Sequence, residues 1–296
     1  MKIQTLEEFL SSLNVKIPKI EQFTDLADMT ALFYDQSKNR FIHLNHERGL
    51  LLYALISKFK PKNILEIGTA SGYGTLSMAW AMSDNNIDGK IFTIDPIPIS
   101  KKTQRSLNDH SNKGQRVENI SVEEIWKKVA KQDWLDKIVT LCGYSGEVMR
   151  TKDLPKFDFA YIDGAHFFEA VKHDFYSIIN NAADKFGILF DDYVDRPQYG
   201  IKKLIDEEIS KNFDVTLIKT DTNNNLTEIL SLNDPIYGMC WIHSSSLTQP
   251  FSEIYPKNQT GKYIEKYLRF EKRLKIRYEL NKKLPFIKNT RFRFWK

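Results

Sequence analysis

Three carboxylates and one imidazole are spaced so that a single cleft could use them. Asp163 closes the apolar run Phe157-Asp-Phe-Ala-Tyr-Ile162, Asp191 and Asp192 close Gly187-Ile-Leu-Phe190, and His166 follows Asp163 by three residues. If the two runs are neighbouring strands, the carboxylates share a pocket, where without a cation they repel and raise one another's pKa. A divalent, oxygen-seeking ion such as Mg²⁺ resolves that conflict and keeps positions open for water or substrate. The same carboxylates could instead cap the helices that follow. His166 stands where an imidazole could accept a hydroxyl proton near neutral pH, although a lone histidine is more often structural.

A second constellation lies upstream, in Asn63-Ile-Leu-Glu-Ile-Gly-Thr-Ala-Ser-Gly-Tyr-Gly74. Ile64, Leu65 and Ile67 read as a buried strand, Gly68, Gly72 and Gly74 as a turn, and Leu76, Met78 and Ala79 as the start of a helix. Glycines let the backbone approach a ligand closely, and a helix N-terminus presents unpaired N–H groups to an anion. The dinucleotide fingerprint needs G-x-G-x-x-G, whereas these glycines fall as G-x-x-x-G-x-G, which disfavours NAD. Glu66 would repel a pyrophosphate but suits a cofactor with an ammonium and a sulfonium and no phosphate, as in S-adenosylmethionine. Asp95 ends the next strand, where doubly wound folds hold an acidic group against ribose hydroxyls; a turn before Pro96 is the plainer reading. Ser145, after a third strand, would lie on the adenine side or simply form a turn.

The elements that must position these groups alternate. Strands are expected at Lys90–Asp95, Lys137–Cys142, Phe157–Ile162 and Gly187–Phe190, with helical patterns between them at 122–129 and 168–179. Phe213–Ile218 and Tyr237–Ile242 add two strands joined by the polar stretch 221–225 with no helix between, hence a closing hairpin. The fold class is therefore α/β: a Rossmann-like, doubly wound, mainly parallel seven-stranded sheet, with ligands at the C-terminal strand edge. Residues 1–60 read as an N-terminal helical cap, with a cap residue at Asn45 before Leu50–Ile56 and Pro61 closing the segment. Residues 61–245 form the main domain and 246–296 a basic helical extension.

The charge balance locates the unusual part of the chain. Of 43 Lys or Arg and 38 Asp or Glu, residues 251–296 hold 14 and 4, so the net +5 belongs to the tail while the rest is acidic. Ile264, Tyr267, Leu268, Leu274 and Tyr278 fall near helical spacing there, Pro285 should end the helix, and Arg291–Lys296 follows. Basic residues interleaved with aromatics suit an anionic membrane surface or a nucleic-acid backbone, or else a helix packed on its own domain or a dimer partner. No window approaches the roughly 20 apolar residues of a membrane helix, and the first residues lack a signal-peptide core, so a cytoplasmic location is expected, with peripheral contact at the inner membrane surface. Cys142 and Cys240 both sit in apolar runs and read as buried thiols.

Residues 45–245 resemble class I S-adenosylmethionine-dependent methyltransferases, and within them the metal-dependent O-methyltransferases of small molecules: the catechol and caffeoyl-CoA type, and more closely the type that methylates sugar hydroxyls on macrolides. The resemblance implies that Glu66, Gly68, Ser71 and Gly72 hold the methionine end of the cofactor, Asp95 the ribose and Ser145 the adenine side. It implies Asp163, Asp191 and Asp192 as metal ligands, with Asp163 also beside the cofactor. The base position carries lysine in the catechol type and histidine in the sugar type; here it is His166. Ala70 and Gly74 replace larger residues of the catechol type, and no aromatic gatekeeper for a flat phenol is readable.

The expected function is methyl transfer from S-adenosylmethionine, with Mg²⁺, to a hydroxyl of a sugar or similar polyhydroxylated molecule. The competing readings are a nucleic-acid methyltransferase using the basic tail, disfavoured by the absence of a D/N-P-P-Y/F run, and a noncatalytic cofactor-binding subunit, disfavoured by the intact acidic cluster. A homo-oligomer is compatible with the sequence.

Overall fold

The computed structural model describes the chain except residues 44–46, 111–112, 197, 221–237, 248 and 284–296. The strands are β1 (Lys2–Thr5), β2 (Leu32–Asp35), β3 (Arg40–His43), β4 (Asn63–Ile67), β5 (Lys90–Asp95), β6 (Thr103–Asn108), β7 (Gln115–Ile120), β8 (Ile138–Cys142), β9 (Phe157–Ile162), β10 (Ala182–Tyr193), β11 (Thr216–Lys219) and β12 (Gly238–His243). Helices that matter below are α1 (Leu6–Leu13), α2 (Ile20–Thr30), α3 (Glu47–Phe59), α4 (Tyr73–Asp84), α5 (Val122–Val129), α6 (Gln132–Leu135), α7 (Ser145–Thr151), α8 (Phe168–Asn180), α9 (Ile201–Glu207), α10 (Phe251–Ile254) and α11 (Lys257–Lys283).

Eight strands form the central sheet in the order β1-β11-β12-β10-β9-β4-β5-β8. β8, β5, β4, β9 and β10 run parallel, and β12 pairs antiparallel with both β10 and β11. Strand order reverses between β4 and β9, the switch point at which α/β sheets bind ligands. The apolar runs are continuous because both faces are covered. Along β9, Ala160 and Ile162 enter a core with Phe175 and Leu204 of α8 and α9, while Phe159 and Tyr161 enter a second core with Leu51, Leu55 and Met78 of α3 and α4.

The sheet has one strand more than the seven expected: β1 pairs in parallel with β11, Ile3 opposite Leu217. Its side chains are largely exposed, so no apolar pattern marks it. Residues 1–60 also contain the β2–β3 hairpin besides their helices, and β6–β7 forms a second hairpin between β5 and α5. The expected hairpin strands are present as the antiparallel pair β11–β12, but the 221–225 connection lies outside the described residues, as do Asn45, Pro285 and 291–296.

The basic helix α11 packs on its own domain. Tyr267 is buried and stacks on His173 of α8, centroids 4.4 Å apart, Thr260 donates to Asn180 at 2.9 Å, and Lys275 pairs with Glu147 of α7. Among the described residues no helix is long and apolar enough to cross a membrane.

Candidate active site

The turn between β4 and α4 is shaped by glycines that other residues could not replace. Gly68 has φ +100°, and a Cβ there would lie 2.1 Å from the backbone oxygen of Asp163. Gly72, at φ +93°, precedes the first turn of α4 against the Trp126 indole, whose Nε1 donates to the Ser71 carbonyl at 3.0 Å. A Cβ on Gly74 would meet Glu66 Oε1 at 2.7 Å. The loop thus lies tight against the end of β9 on one side and Glu66 on the other.

Glu66 is 1% exposed. Thr75 and Thr93 hydroxyls donate to its Oε2, the latter at 2.5 Å, and Thr69 and Thr93 are joined at 2.6 Å. Burial pushes the carboxyl up to about 7, against the pull of those two hydroxyls and of Arg48. A cavity of about 170 Å³ opens beside it, lined by Arg48, Glu66, Gly68, Ser71, Tyr73 and Asp163 among others.

A second cavity of about 190 Å³ shares Thr69 with the first as a lining residue and reaches Thr93, Asp95, Ile99, Thr140 and Cys142. Asp95 Oδ2 accepts from Ala70 N–H at 3.1 Å and Oδ1 from Ile97 N–H at 2.8 Å. Two sequence expectations change here. Ser145 donates to Asp174 at 2.6 Å, because it begins α7 facing α8, and it does not line this cavity. Cys142, expected to be buried, is exposed at the end of edge strand β8.

Adjacent strands bring Asp163 and Asp191 together at the sheet edge, as their positions predicted. A residue the sequence did not single out stands between them. Arg48 Nη1, from the first turn of α3, donates to Asp163 Oδ2 at 2.6 Å and to Asp191 Oδ2 at 2.8 Å. The Tyr161 hydroxyl lies 2.8 Å from the same Asp191 oxygen and 3.1 Å from that of Asp163. Burial raises both carboxyls above the usual range, the Asp191 charge adding to the effect on Asp163 and Arg48 opposing it on both.

Asp192 belongs to a different pair. It holds φ +57°, a region that few non-glycine residues enter, and its N–H donates to Asp191 Oδ1 at 2.9 Å. The turned backbone directs its carboxylate to His166, with Oδ2 3.0 Å from Nδ1. The His166 ring stacks on Tyr199 at 4.8 Å. Burial lowers the imidazole's pKa, but the hydrogen bond to Asp192 and the charges of Asp192, Asp163 and Asp191 outweigh it, so the net shift is upward.

The expected ligand trio therefore does not form one coordination sphere. Among the described residues, the group of three that brings ligand atoms within 4.8 Å of one another is Asp25, Asp28 and His110, which shares no residue with the expected trio and is held by imidazole–carboxylate contacts of 2.6 Å from His110 and 2.7 Å from His43 to Asp28. Asp163, Asp191 and Asp192 do not fit a divalent ion as they stand: a guanidinium fills the space between the first two, and the third turns to an imidazole. Arg105 was also not foreseen; its Nη1 donates to Ser71 Oγ at 2.6 Å beside the loop.

Residues 65–193, which span every element from β4 to β10, match the family model described as a methyltransferase domain. This segment is a methyltransferase domain. The chain has the fold of the O-methyltransferase TomG of Streptomyces achromogenes, involved in tomaymycin synthesis and solved with S-adenosylmethionine: TM-score 0.51, 16% identity, 82% of this chain and 95% of that one. Also similar are an O-methyltransferase of Bacillus cereus with S-adenosylhomocysteine (TM-score 0.47, 16% identity, covering 80% and 94%) and the methyltransferase PaMTH1 of Podospora anserina (0.49, 16%, covering 80% and 92%). No curated protein matches the chain. Within the methyltransferase domain, the two cavities that share Thr69 lie at the C-terminal ends of β4 and β5, while His166 follows β9 and Asp192 stands near the end of β10.

Proposed function

We propose that the chain is an S-adenosylmethionine-dependent O-methyltransferase whose acceptor is a hydroxyl of a sugar or similar polyhydroxylated small molecule. The observation that carries this reading is the pair of cavities that share Thr69, one lined by the buried Glu66 and the other by Asp95, together with a carboxylate-supported imidazole. That division of charge suits a zwitterionic amino-acid end and a ribose. TomG, whose fold the chain shares, is itself an O-methyltransferase solved with this cofactor.

The residues fit the cofactor. Glu66, Gly68, Ser71 and Gly72 line or shape the amino-acid end, Asp163 borders it, and Asp95 faces the ribose side. When bound, the cofactor supplies an electrophilic sulfonium methyl. Asp192, by taking Nδ1 as its hydrogen-bond partner, fixes the His166 tautomer in which Nε2 is the basic nitrogen. Nε2 then accepts the acceptor's hydroxyl proton, and Asp192 stabilises the imidazolium that forms. Histidine at this position, matching the sugar type in the resemblance, and a cleft rim rich in hydrogen-bond acceptors support a polyhydroxylated acceptor.

Calorimetry with S-adenosylmethionine, S-adenosylhomocysteine and NAD tests the cofactor, and label transfer from methyl-labelled cofactor to a panel of sugars, nucleotide sugars and catechols tests the acceptor. Binding of both sulfur nucleosides but not NAD, with label in a sugar, is expected. Tight NAD binding without either sulfur nucleoside would overturn the cofactor reading, and label confined to catechols the acceptor reading.

A further inference from the structure

We propose that Arg48 is the resident counter-ion of the Asp163–Asp191 pair and takes the place a divalent cation would otherwise fill, so that this methyltransferase domain works without divalent metal. The inference rests on the cleft assignment above and adds the nature of its cation.

A buried carboxylate, Asp191, and a half-buried one, Asp163, at the ends of neighbouring strands call for a counter-charge, because uncompensated charge away from water is costly. A divalent ion does so by drawing carboxylate oxygens to about 2 Å from one centre. Here a single guanidinium nitrogen stands 2.6 Å from one carboxylate and 2.8 Å from the other, and one of the two oxygens it contacts also accepts from Tyr161 at 2.8 Å. Charge-assisted hydrogen bonds of this length are the strong kind.

The guanidinium is also held in place. It projects from the first turn of α3, and from Gly49 to Ser57 that helix is buried beneath the sheet edge. An ion entering between Asp163 and Asp191 would have to expel a cation anchored by a buried helix. Asp192 is withdrawn from the pair, since its carboxylate lies on His166. Acceptor activation then falls to the His166–Asp192 pair alone, and Arg48 acts as a positioning residue that keeps two like charges side by side at the rim of the cofactor cavity.

Mn²⁺ is the probe, its free concentration read by electron paramagnetic resonance with full-length protein. Wild type should show no Mn²⁺ site that Asp163→Asn removes. Arg48→Met, which deletes the charge and keeps an apolar stem, should gain a Mn²⁺ site that the Arg48→Met/Asp163→Asn double variant lacks. Arg48→Lys should melt near wild type and gain none.

A wild-type Mn²⁺ site abolished by Asp163→Asn would overturn the proposal, as would a folded Arg48→Met protein that gains no such site. Mn²⁺ that stays bound in Asp163→Asn lies elsewhere and leaves the cleft metal-free as proposed. Should Arg48→Met fail to fold, the wild-type and Asp163→Asn pair decides the question. S-adenosylhomocysteine calorimetry on the same samples reads the cofactor assignment separately, so failure of either claim is distinguishable from failure of the other.

Discussion

Glu66 gives the sharpest test of how the cleft binds its cofactor. Its carboxyl titrates at about 7 because burial disfavours the charged form. If Glu66 binds the cofactor's amino-acid end as proposed, the ammonium of S-adenosylhomocysteine needs the ionised carboxylate and, once bound, holds it ionised. Free protein at pH 7.5 has the carboxylate mostly charged, whereas at pH 5.5 about one molecule in thirty does. Affinity should therefore be roughly 25-fold weaker at pH 5.5 than at pH 7.5. Glu66→Gln replaces a charge-assisted contact, worth about 1.5–3 kcal/mol, and should weaken binding about 10- to 100-fold at pH 7.5 while flattening the pH dependence.

The same group predicts a stability effect of opposite sense. The folded chain keeps the Glu66 proton up to about 7, whereas an unfolded glutamate releases it near 4.5. Folded protein binds more protons between those values, so this group's contribution to stability falls as pH rises through the window, by up to about 3 kcal/mol. Glu66→Gln should be the more pH-tolerant apoprotein. Isothermal titration of S-adenosylhomocysteine from pH 5.5 to 7.5, with urea denaturation of both proteins, makes the comparison. Wild-type affinity that is flat over that range, or a Gln variant indistinguishable from wild type, would refute the reasoning.

Further outcomes follow from the other residues of the cleft. His166→Ala should lower kcat about 10²- to 10⁴-fold while S-adenosylhomocysteine affinity changes little, as steady-state kinetics and calorimetry would show. Because Asp192 raises the His166 pKa, the wild-type rate should decline on acidification from above the ordinary histidine value, and Asp192→Asn should move that limb to lower pH and reduce kcat, read from the pH–rate profile. Gly68→Ala places a Cβ 2.1 Å from the Asp163 carbonyl at φ +100°, so chemical denaturation should show a loss exceeding about 1–2 kcal/mol, the backbone cost alone.

The sheet core was legible because parallel strands covered on both faces must be apolar throughout. Ile64–Ile67, Lys90–Asp95 and Phe157–Ile162 carry that signal with a single polar residue inside each, Glu66, Thr93 and Asp158, and the glycines after Ile67 mark the turn that follows. β10 runs from Ala182 to Tyr193, well beyond Gly187–Phe190, because the exposed polar pair Asp184-Lys185 breaks the apolar pattern near its start. β1, β6 and β7 escaped notice since edge strands and exposed hairpins alternate too weakly to stand out from loop sequence.

Within the cleft, Asp95, Asp163, Asp191 and Asp192 were visible as acids closing apolar runs, Glu66 as an acid inside one and His166 as an imidazole shortly after one. What they do to one another was not. A strand end fixes where a carboxylate begins, but the φ of Asp192 decides which neighbour it meets, and that depends on tertiary packing. Arg48 had one faint mark, a cation just before the wholly apolar Leu50–Ile56 run. A charge at the head of a buried helix has to find a partner, and its partners lie 115 and 143 residues away.

S-adenosylmethionine is expected to bind across the two cavities that share Thr69. A crystal structure of the protein soaked with S-adenosylhomocysteine tests it most directly. The amino-acid end should lie beside Glu66, Gly68 and Arg48, the ribose on Asp95, and the sulfur on the His166 side of the cleft. Density for the nucleoside at any other site, with these cavities empty, would contradict it.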